Sequence, residues 1–380
     1  MQRIDRRDFL KIGAGAAVAL GASPLLANCG GEEKVAQPTT TLEPKTRVAI
    51  IKGADLRSMA LNALDAVGGI SSVVGKGQTV FLKPNFVTVG LRPGAGPFTT
   101  GECTKPEILL TVAEECLKVG AAEVIIGDAT QTSSWSWDQV PTFDQTTTMA
   151  AEAQRLTSAY DGKVTLACLD ADSPDWVDVP SQTSLEKISV SSLVARADRI
   201  ISMPVLKTHQ WAQMTLSLKC FLGTTPLAKY GAKPDGSQPR IFLHTATGGI
   251  EQVFLDINKG VTPDLAIIDA SLGIEGDGPA LGSSTVYTID VKDRIGAWLL
   301  VASKDLAAAD ATAARLTGHD VSKIKHLTMA LDQGVGEIRE EKIEIVGERL
   351  DDVRMEWVQA TPASPTDLSA GQYCPRSVAV

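Results

Sequence analysis

The sequence predicts an α/β fold: a single large domain with a largely parallel sheet and helices on both faces. Three observations lead there. Short runs rich in β-branched and aliphatic residues recur along the chain, segments with helical spacing separate them, and 44% of the 380 residues are hydrophobic, enough for a sizeable core. Strands joined through helices form βαβ crossovers, which cover both faces of a parallel sheet.

Taken in order, strand is expected at 47–52, where Val-Ala-Ile-Ile sits between Arg47 and Lys52, and helix at 58–66. Strand follows at 79–83 (Thr-Val-Phe-Leu-Lys), helix at 106–119, and strand at 123–127 (Glu-Val-Ile-Ile-Gly). Helix is expected at 146–159 and strand at 164–169 and 199–203. Helix 249–258, strands 265–269 and 297–301, and helix 306–316 complete the pattern. The stretch 130–144, rich in Ser, Thr and Trp, interrupts this rhythm. Trp135 and Trp137 there face the same way if the chain is extended. They can line a ligand mouth or pack onto the body, and packing is the favoured reading.

Residues 1–28 read as an export signal. Arg6 and Arg7 lie in Asp5-Arg6-Arg7-Asp8-Phe9-Leu10-Lys11, which resembles a twin-arginine signal apart from Asp5, where Ser or Thr is usual. The Gly/Ala-rich apolar stretch from Ile12 to Ala27 is short and small-residued for a spanning helix, so cleavage is favoured over a retained anchor. Leu26-Ala27-Asn28-Cys29 resembles a lipoprotein cleavage box with Asn28 out of pattern, which leaves lipidation at Cys29 open. The resemblance implies passage through the twin-arginine translocase in the folded state. It also implies a periplasmic or cell-envelope location, with the membrane met only through a lipid anchor at Cys29. Residues 29–46 have few apolar side chains and read as a flexible linker. The α/β body is expected at 47–357, and a tail at 358–380 carries Pro362, Pro365 and Pro375.

The net charge is −9; residues 1–28 hold four basic and two acidic groups, so the remainder is near about −11. Such a surface would not attract nucleic acid or anionic lipid. The six cysteines (29, 103, 116, 168, 220 and 374) include no CxxC pair, so no iron–sulfur or zinc spacing is present. Cys116 and Cys168 are expected as buried small hydrophobes, and one disulfide stays open.

In open α/β sheets, ligands bind beyond the carboxyl ends of the strands. At that edge the sequence places Lys83-Pro84-Asn85, Gly127-Asp128-Ala129, Pro204-Val205-Leu206-Lys207-Thr208-His209, and Asp269 followed by a turn at 273–279. Alone, each has a bland reading as a solvated lysine or a helix-capping Asp. Four strands of one sheet ending in charged or amide groups point to a shared site.

Lys83-Pro84-Asn85, the block 203–209, Ser217-Leu218-Lys219 and Gly276-Asp277-Gly278-Pro279 resemble the recurrent blocks of the domain-of-unknown-function 362 family. Thr104-Lys105-Pro106-Glu107 and the block 305–310 resemble two more, so the likeness runs through most of 47–335. Cys220 departs from the pattern, where Asn is usual, and the ferredoxin-type cysteine run of some members is absent. The resemblance therefore implies no iron–sulfur cluster, and it names no reaction.

Two cations and an imidazole, Lys207, Lys219 and His209, make a pocket for a carboxylate or phosphate. Lys83, Asn85, Lys207, Thr208 and Asp128 are the expected ligand-binding residues. Lys219 lies in an apolar stretch, 214–222, where desolvation would lower its pKa and suit it to act as base or nucleophile. The alternative is a lysine that snorkels to solvent. Lys219 and His209 are the expected catalytic pair, for isomerase- or racemase-like or other lysine/histidine base chemistry. The interval between them is similar to that of nickel-pincer lactate racemases, which would imply a nickel-pincer-type nucleotide. Ser217-Leu218 replaces the glycine pair expected before the lysine, and no Gly-Thr-His-Arg block is present.

Asp269, Glu275 and Asp277, with Asp128, can hold a divalent metal through oxygen ligands, or Asp277-Gly278 can be a plain turn. Asp305 reads as a first-turn acid. His244, His319 and His326 lack ligand-type neighbours and are expected in loops or at the surface. Two readings survive: an enzyme acting on a small anionic metabolite or cofactor, and a periplasmic ligand- or metal-binding maturation factor without catalysis. Replacing Arg6 and Arg7 by Lys should strand the precursor in the cytoplasm. Unchanged periplasmic yield on fractionation and immunoblotting would remove the export route.

Overall fold

Within each central strand, neighbouring apolar side chains face opposite ways, and this alternation builds two cores on the two faces of one sheet. The computed structural model describes residues 45–231 and 240–361. β1 (Thr46–Gly53) sends Val48 and Ile50 to one core and Ala49 to the other. β2 (Thr79–Pro84) divides Phe81 from Val80 and Leu82 in the same way, and β3 (Glu123–Asp128) divides Ile125 from Val124 and Ile126.

The remaining strands are β4 (Lys163–Cys168), β5 (Trp176–Pro180), β6 (Lys187–Ser191), β7 (Arg199–Met203), β8 (Val205–His209) and β9 (Gln213–Thr215). They are followed by β10 (Leu265–Gly276), β11 (Val286–Asp290), β12 (Trp298–Ser303) and β13 (Ile343–Gly347). Among the described residues the spine of the main sheet runs β13-β1-β12-β10-β7-β2-β3-β4. From β10 to β4 all neighbours are parallel, and β12 runs against both β10 and β1. β5 and β6 pair separately as an antiparallel ribbon.

Among the described residues, six longer helices cover the sheet. α1 (Leu56–Ala66), α2 (Pro106–Lys118) and α3 (Met149–Ala159) bury Met59, Ile108 and Leu156 in one core. α4 (Ile250–Val261), α5 (Leu306–Leu316) and α6 (Lys325–Asp332) bury Phe254, Leu316 and Leu327 in the other. Asp55, Thr148 and Asp305 start their helices by accepting the N–H groups of Ser58, Ala151 and Ala308 at 2.8, 3.3 and 3.0 Å. Asp305 also accepts Glu337 N at 2.9 Å, so it ties α5 to a distant loop as well as capping it.

The expected turn at 273–279 is largely strand. β10 is twelve residues long; its first half lies in the main sheet, and its outer half pairs with β8 and β11. Pro204 has no N–H to donate to a ladder, and past it the chain restarts as β8 beside this outer half. Glycine is required there because backbones meet closely. A Cβ on Gly278 would collide with the Thr208 carbonyl, and one on Gly273 with that of Leu206.

Trp135 and Trp137 stack edge-on at 5.1 Å, and Trp137 meets Phe86 at 6.0 Å, so the 130–144 stretch packs its indoles onto the core. Cys103, Cys116, Cys168 and Cys220 are buried free thiols. The expected signal at 1–28, Cys29, the linker up to residue 44 and the tail from 362 lie outside the described residues. Among the described residues, no helix is long and apolar enough to cross a membrane.

The three histidines expected in loops or at the surface are all buried; His319 does lie in a loop, whereas His244 and His326 are on helices. His326 on α6 lies edge-on to Phe254 at 5.8 Å, and burial, helped by the Lys219 charge, lowers its pKa from 6.5 to about 3. The folded protein keeps this ring neutral, whereas the unfolded chain protonates it below about 6.5. Its contribution to stability is therefore complete above that pH and is lost as pH falls towards about 3. His326→Leu should flatten the dependence of unfolding free energy on pH across that window, measured by urea denaturation. An unchanged slope would place the acid sensitivity elsewhere.

Candidate functional site

At the ends of β2 and β3 the sheet buries a lysine, and the surrounding chain is arranged to keep it charged. Lys83, 1% exposed, donates to Asp128 Oδ1 at 2.5 Å and to the Pro84 carbonyl at 2.6 Å. Asp128 Oδ1 also accepts Ala129 N at 2.9 Å, and Oδ2 accepts Phe86 N at 2.7 Å. A desolvated ion pair holds when its remaining lone pairs are satisfied in this way. Gly223 passes over the pair so closely that a Cβ would strike both Asp128 Oδ1 and Lys83 Nζ.

This pair forms part of the wall of a cavity of about 120 Å³, with Asn85, His209, Trp211, Lys219, Arg240 and His244 around it. Arg240 spends its guanidinium on the protein. It donates to Thr225 O at 2.9 and 3.1 Å, to Thr130 O at 2.9 Å and to Asp170 Oδ2 at 3.4 Å. Asn85 Oδ1 accepts from Lys207 Nζ at 3.2 Å, which fixes the amide so that its N–H₂ end points away from Lys207.

The two cavity histidines carry opposite tautomers. His209 Nδ1 accepts the N–H groups of Trp211 at 3.1 Å and Ala212 at 3.4 Å, so the proton of the neutral ring is on Nε2. Burial, then the charge of Lys219, holds its pKa well below 6.5. His244 Nδ1 lies 2.9 Å from the Arg240 carbonyl, an acceptor, so this ring is protonated on Nδ1 and carries its lone pair on Nε2. Burial lowers its pKa to about 3. The indole of Trp211 stands edge-on to both rings, at 5.8 Å from His209 and 4.7 Å from His244.

Lys219 is presented by a one-turn helix, Ser217–Cys220, and its ammonium lies 5.9 Å from the Phe254 ring centre. Asp310, buried in α5, anchors that turn by accepting Ser217 N at 2.8 Å and Leu218 N at 2.9 Å. Burial raises the Asp310 pKa to about 7 against the pull of these two bonds.

The family model for the domain of unknown function DUF362 matches residues 80–315. The chain belongs to the DUF362 family. A thylakoid-associated protein of Synechocystis sp. is 26% identical over 281 residues, 72% of this chain and 73% of that one. Among solved structures, the lactate racemase apoprotein of Thermoanaerobacterium thermosaccharolyticum is similar at 10% identity and a TM-score of 0.33, over 67% of this chain and 56% of that one. A Thermotoga maritima protein is similar at 12% and 0.31, over 61% and 52%. The chain thus spans little more than half of either solved structure, and likeness at this level carries no argument about activity.

In this DUF362 chain, Lys83, Asn85, Asp128, His209 and Lys219 line one cavity, whereas Lys207, Thr208 and Asp277 do not. Lys207 is fully buried and donates to Glu102 O at 2.7 Å, so it acts behind Asn85 and not as an anion clamp. Thr208 Oγ1 donates to Ile274 O at 3.1 Å and stitches β8 to β10. The expected metal ligands are separated by their partners. Asp269 pairs with Lys105 at 3.4 Å, Glu275 with Arg294 at 3.0 Å, and Asp277 Oδ1 accepts Thr361 N at 2.7 Å. Among the described residues, no group of three or more His, Cys, Asp or Glu side chains is arranged to hold a metal ion. His209 as a general base is also corrected, because Nδ1 is occupied by backbone donors and Nε2 already holds the proton.

Sequence reasoning missed His244, Arg240 and Trp211. The signal for His244 was its place four residues after Arg240 in a helical turn, which lets Nδ1 reach a main-chain carbonyl. Asp128→Ala should destabilise the fold by about 3–5 kcal/mol, because Lys83 is left charged and buried without its partner. Adding Lys83→Met should recover most of that loss in urea denaturation. A single-variant loss below about 1 kcal/mol would show that Lys83 finds another partner.

Proposed function

We propose that this DUF362 protein is exported folded to the periplasm or cell envelope, takes a small anionic metabolite or cofactor into the cavity, and acts on it with Lys219 as the chemical centre. The observation that carries the reading is local charge. A chain of net charge −9 gathers three cations, Lys83, Lys219 and Arg240, against one carboxylate, Asp128, around one small cavity. Cations in a desolvated wall select anions by short-range contact, because the acidic exterior gives no long-range attraction. Lys83 and Arg240 contribute positive potential while paired to protein groups, and Lys219 and the Nε2–H of His209 line the same cavity as donors for the ligand. With His209 held as a donor, proton abstraction falls to the Lys219 amine or to His244 Nε2.

Export is supported by Arg6-Arg7 and the apolar stretch after it, and the thylakoid-associated relative is compatible with a life beside a membrane. A lipid anchor at Cys29 would supply the membrane contact. Folded export also lets the chain carry a ligand loaded in the cytoplasm. Divalent-metal binding by Asp269, Glu275 and Asp277 forms no part of the proposal, since each carboxylate is engaged separately.

A second reading, a factor that holds its ligand without turnover, is favoured by one feature: both cavity imidazoles are held neutral far from physiological titration. Lys219→Ala should leave the fold intact, within about 1 kcal/mol, and abolish retention of the small anion seen by native mass spectrometry on protein from its own host. Lys219→Arg should fail as well if the amine is base or nucleophile, because a guanidinium stays protonated. Full function with Arg would make Lys219 a clamp and favour the holding factor. Retention in a folded Lys219→Ala variant would remove the site.

A further inference from the structure

On the anion-binding reading above, we propose that the ligand carries a neutral hydrogen-bond donor, a hydroxyl or amide, beside its anionic group, and that His244 selects for it. Complementarity of the cavity wall is the reason. Lys219 and the Nε2–H of His209 donate, and the Asn85 amide turns its oxygen to Lys207, which leaves its N–H₂ end as the donor available to a ligand. Anionic oxygens satisfy such groups. The wall's carboxylate, Asp128, has both oxygens occupied by Lys83, Ala129 N and Phe86 N.

His244 is different. Its Nδ1–H is fixed on the Arg240 carbonyl, so the atom it can turn to a ligand is an acceptor, Nε2. A bare anion would desolvate that lone pair and return no donor, and an unsatisfied buried acceptor is costly. A ligand with a hydroxyl satisfies it. An ammonium would supply a donor too, but at the cost of a further cation beside Lys83, Lys219 and Arg240. Trp211 stands edge-on to both histidine rings.

Acetate, glycolate and glycine share a carboxylate and differ in what stands beside it, so they serve as probes. Titration calorimetry on the full mature chain should give glycolate an affinity about five- to tenfold above acetate, the range of one net hydrogen bond, with glycine weaker than glycolate. The informative variant is His244→Asn. Its amide can still donate to the Arg240 carbonyl from the Nδ1 position while nothing reaches the place of Nε2, and near-ultraviolet circular dichroism checks that it folds. Glycolate should fall to the level of acetate in this variant, and acetate should hardly change. Independently, ¹⁵N NMR of histidine-labelled protein should find His244 protonated on Nδ1 and His209 on Nε2.

Equal affinities in the wild type, a preference that survives His244→Asn, or the reverse tautomer on His244 would each overturn the selection by His244. Each leaves the anion cavity standing so long as acetate binds and Lys219→Ala removes it. Failure of the wild type to bind any of the three carboxylates would overturn both.

Discussion

A lysine ammonium with 1% exposure stays charged only while something replaces the water it has lost. For Lys83 that replacement is Asp128, and the pairing dictates much of what surrounds it. β2 and β3 must be parallel neighbours in the register Leu82 to Ile126, so that the two side chains emerge side by side at the carboxyl ends of their strands. The chain after β3 must turn so that Ala129 N and Phe86 N reach the carboxylate, and residue 223 must be glycine. The Cys220 thiol lies 3.8 Å from Lys83 Nζ and donates to the Pro84 carbonyl at 3.4 Å. Burial pushes it up to about 11, so it serves as a small polar neighbour and not as a nucleophile.

The same solution is repeated elsewhere in the fold. Lys105 meets Asp269, Lys207 meets Glu102 O and Asn85, Arg240 meets Asp170, and Asp310 meets two N–H groups of the turn that carries Lys219. The concentration of charge at this edge is thus mostly structural cross-linking between βα turns. On the reading proposed above, these cross-links hold Lys219, His209 and His244 in place, as a small-molecule site needs.

The sheet was legible in the sequence to within a residue or two at most strand ends: 199–203 matches β7, and 79–83 differs from β2 by Pro84 alone. These strands are buried on both faces, so they read as continuous apolar runs. β8, β9, β11 and β13 did not stand out, because three to five residues with mixed polarity give little periodic signal and their pairing depends on β10, on β8 or on β1. Residues 273–279 read as a turn, yet 273–276 continue β10, and Gly273 and Gly278 mark close approach to the Leu206 and Thr208 carbonyls of β8, which is invisible until the partner strand is known.

The candidate site divides along the same line. The sequence by itself determined that Lys83, Asp128, His209 and Lys219 stand at or beyond strand ends, because strand length and hydrophobic pattern are local properties. Tertiary structure decided which charges pair with one another and which of them line the cavity. Lys83 and Asp128 are 45 residues apart, and Lys105 and Leu272 are 167 apart. Pairings at such separations are fixed by sheet order, and so are the burial that holds the histidines neutral and the backbone contacts that set their tautomers. Lys207 and Asp269 had the residue types and the positions of site residues, yet the fold consumed them. His244 had the residue type but no strand-end position, and one main-chain carbonyl fixes its ring in the cavity wall.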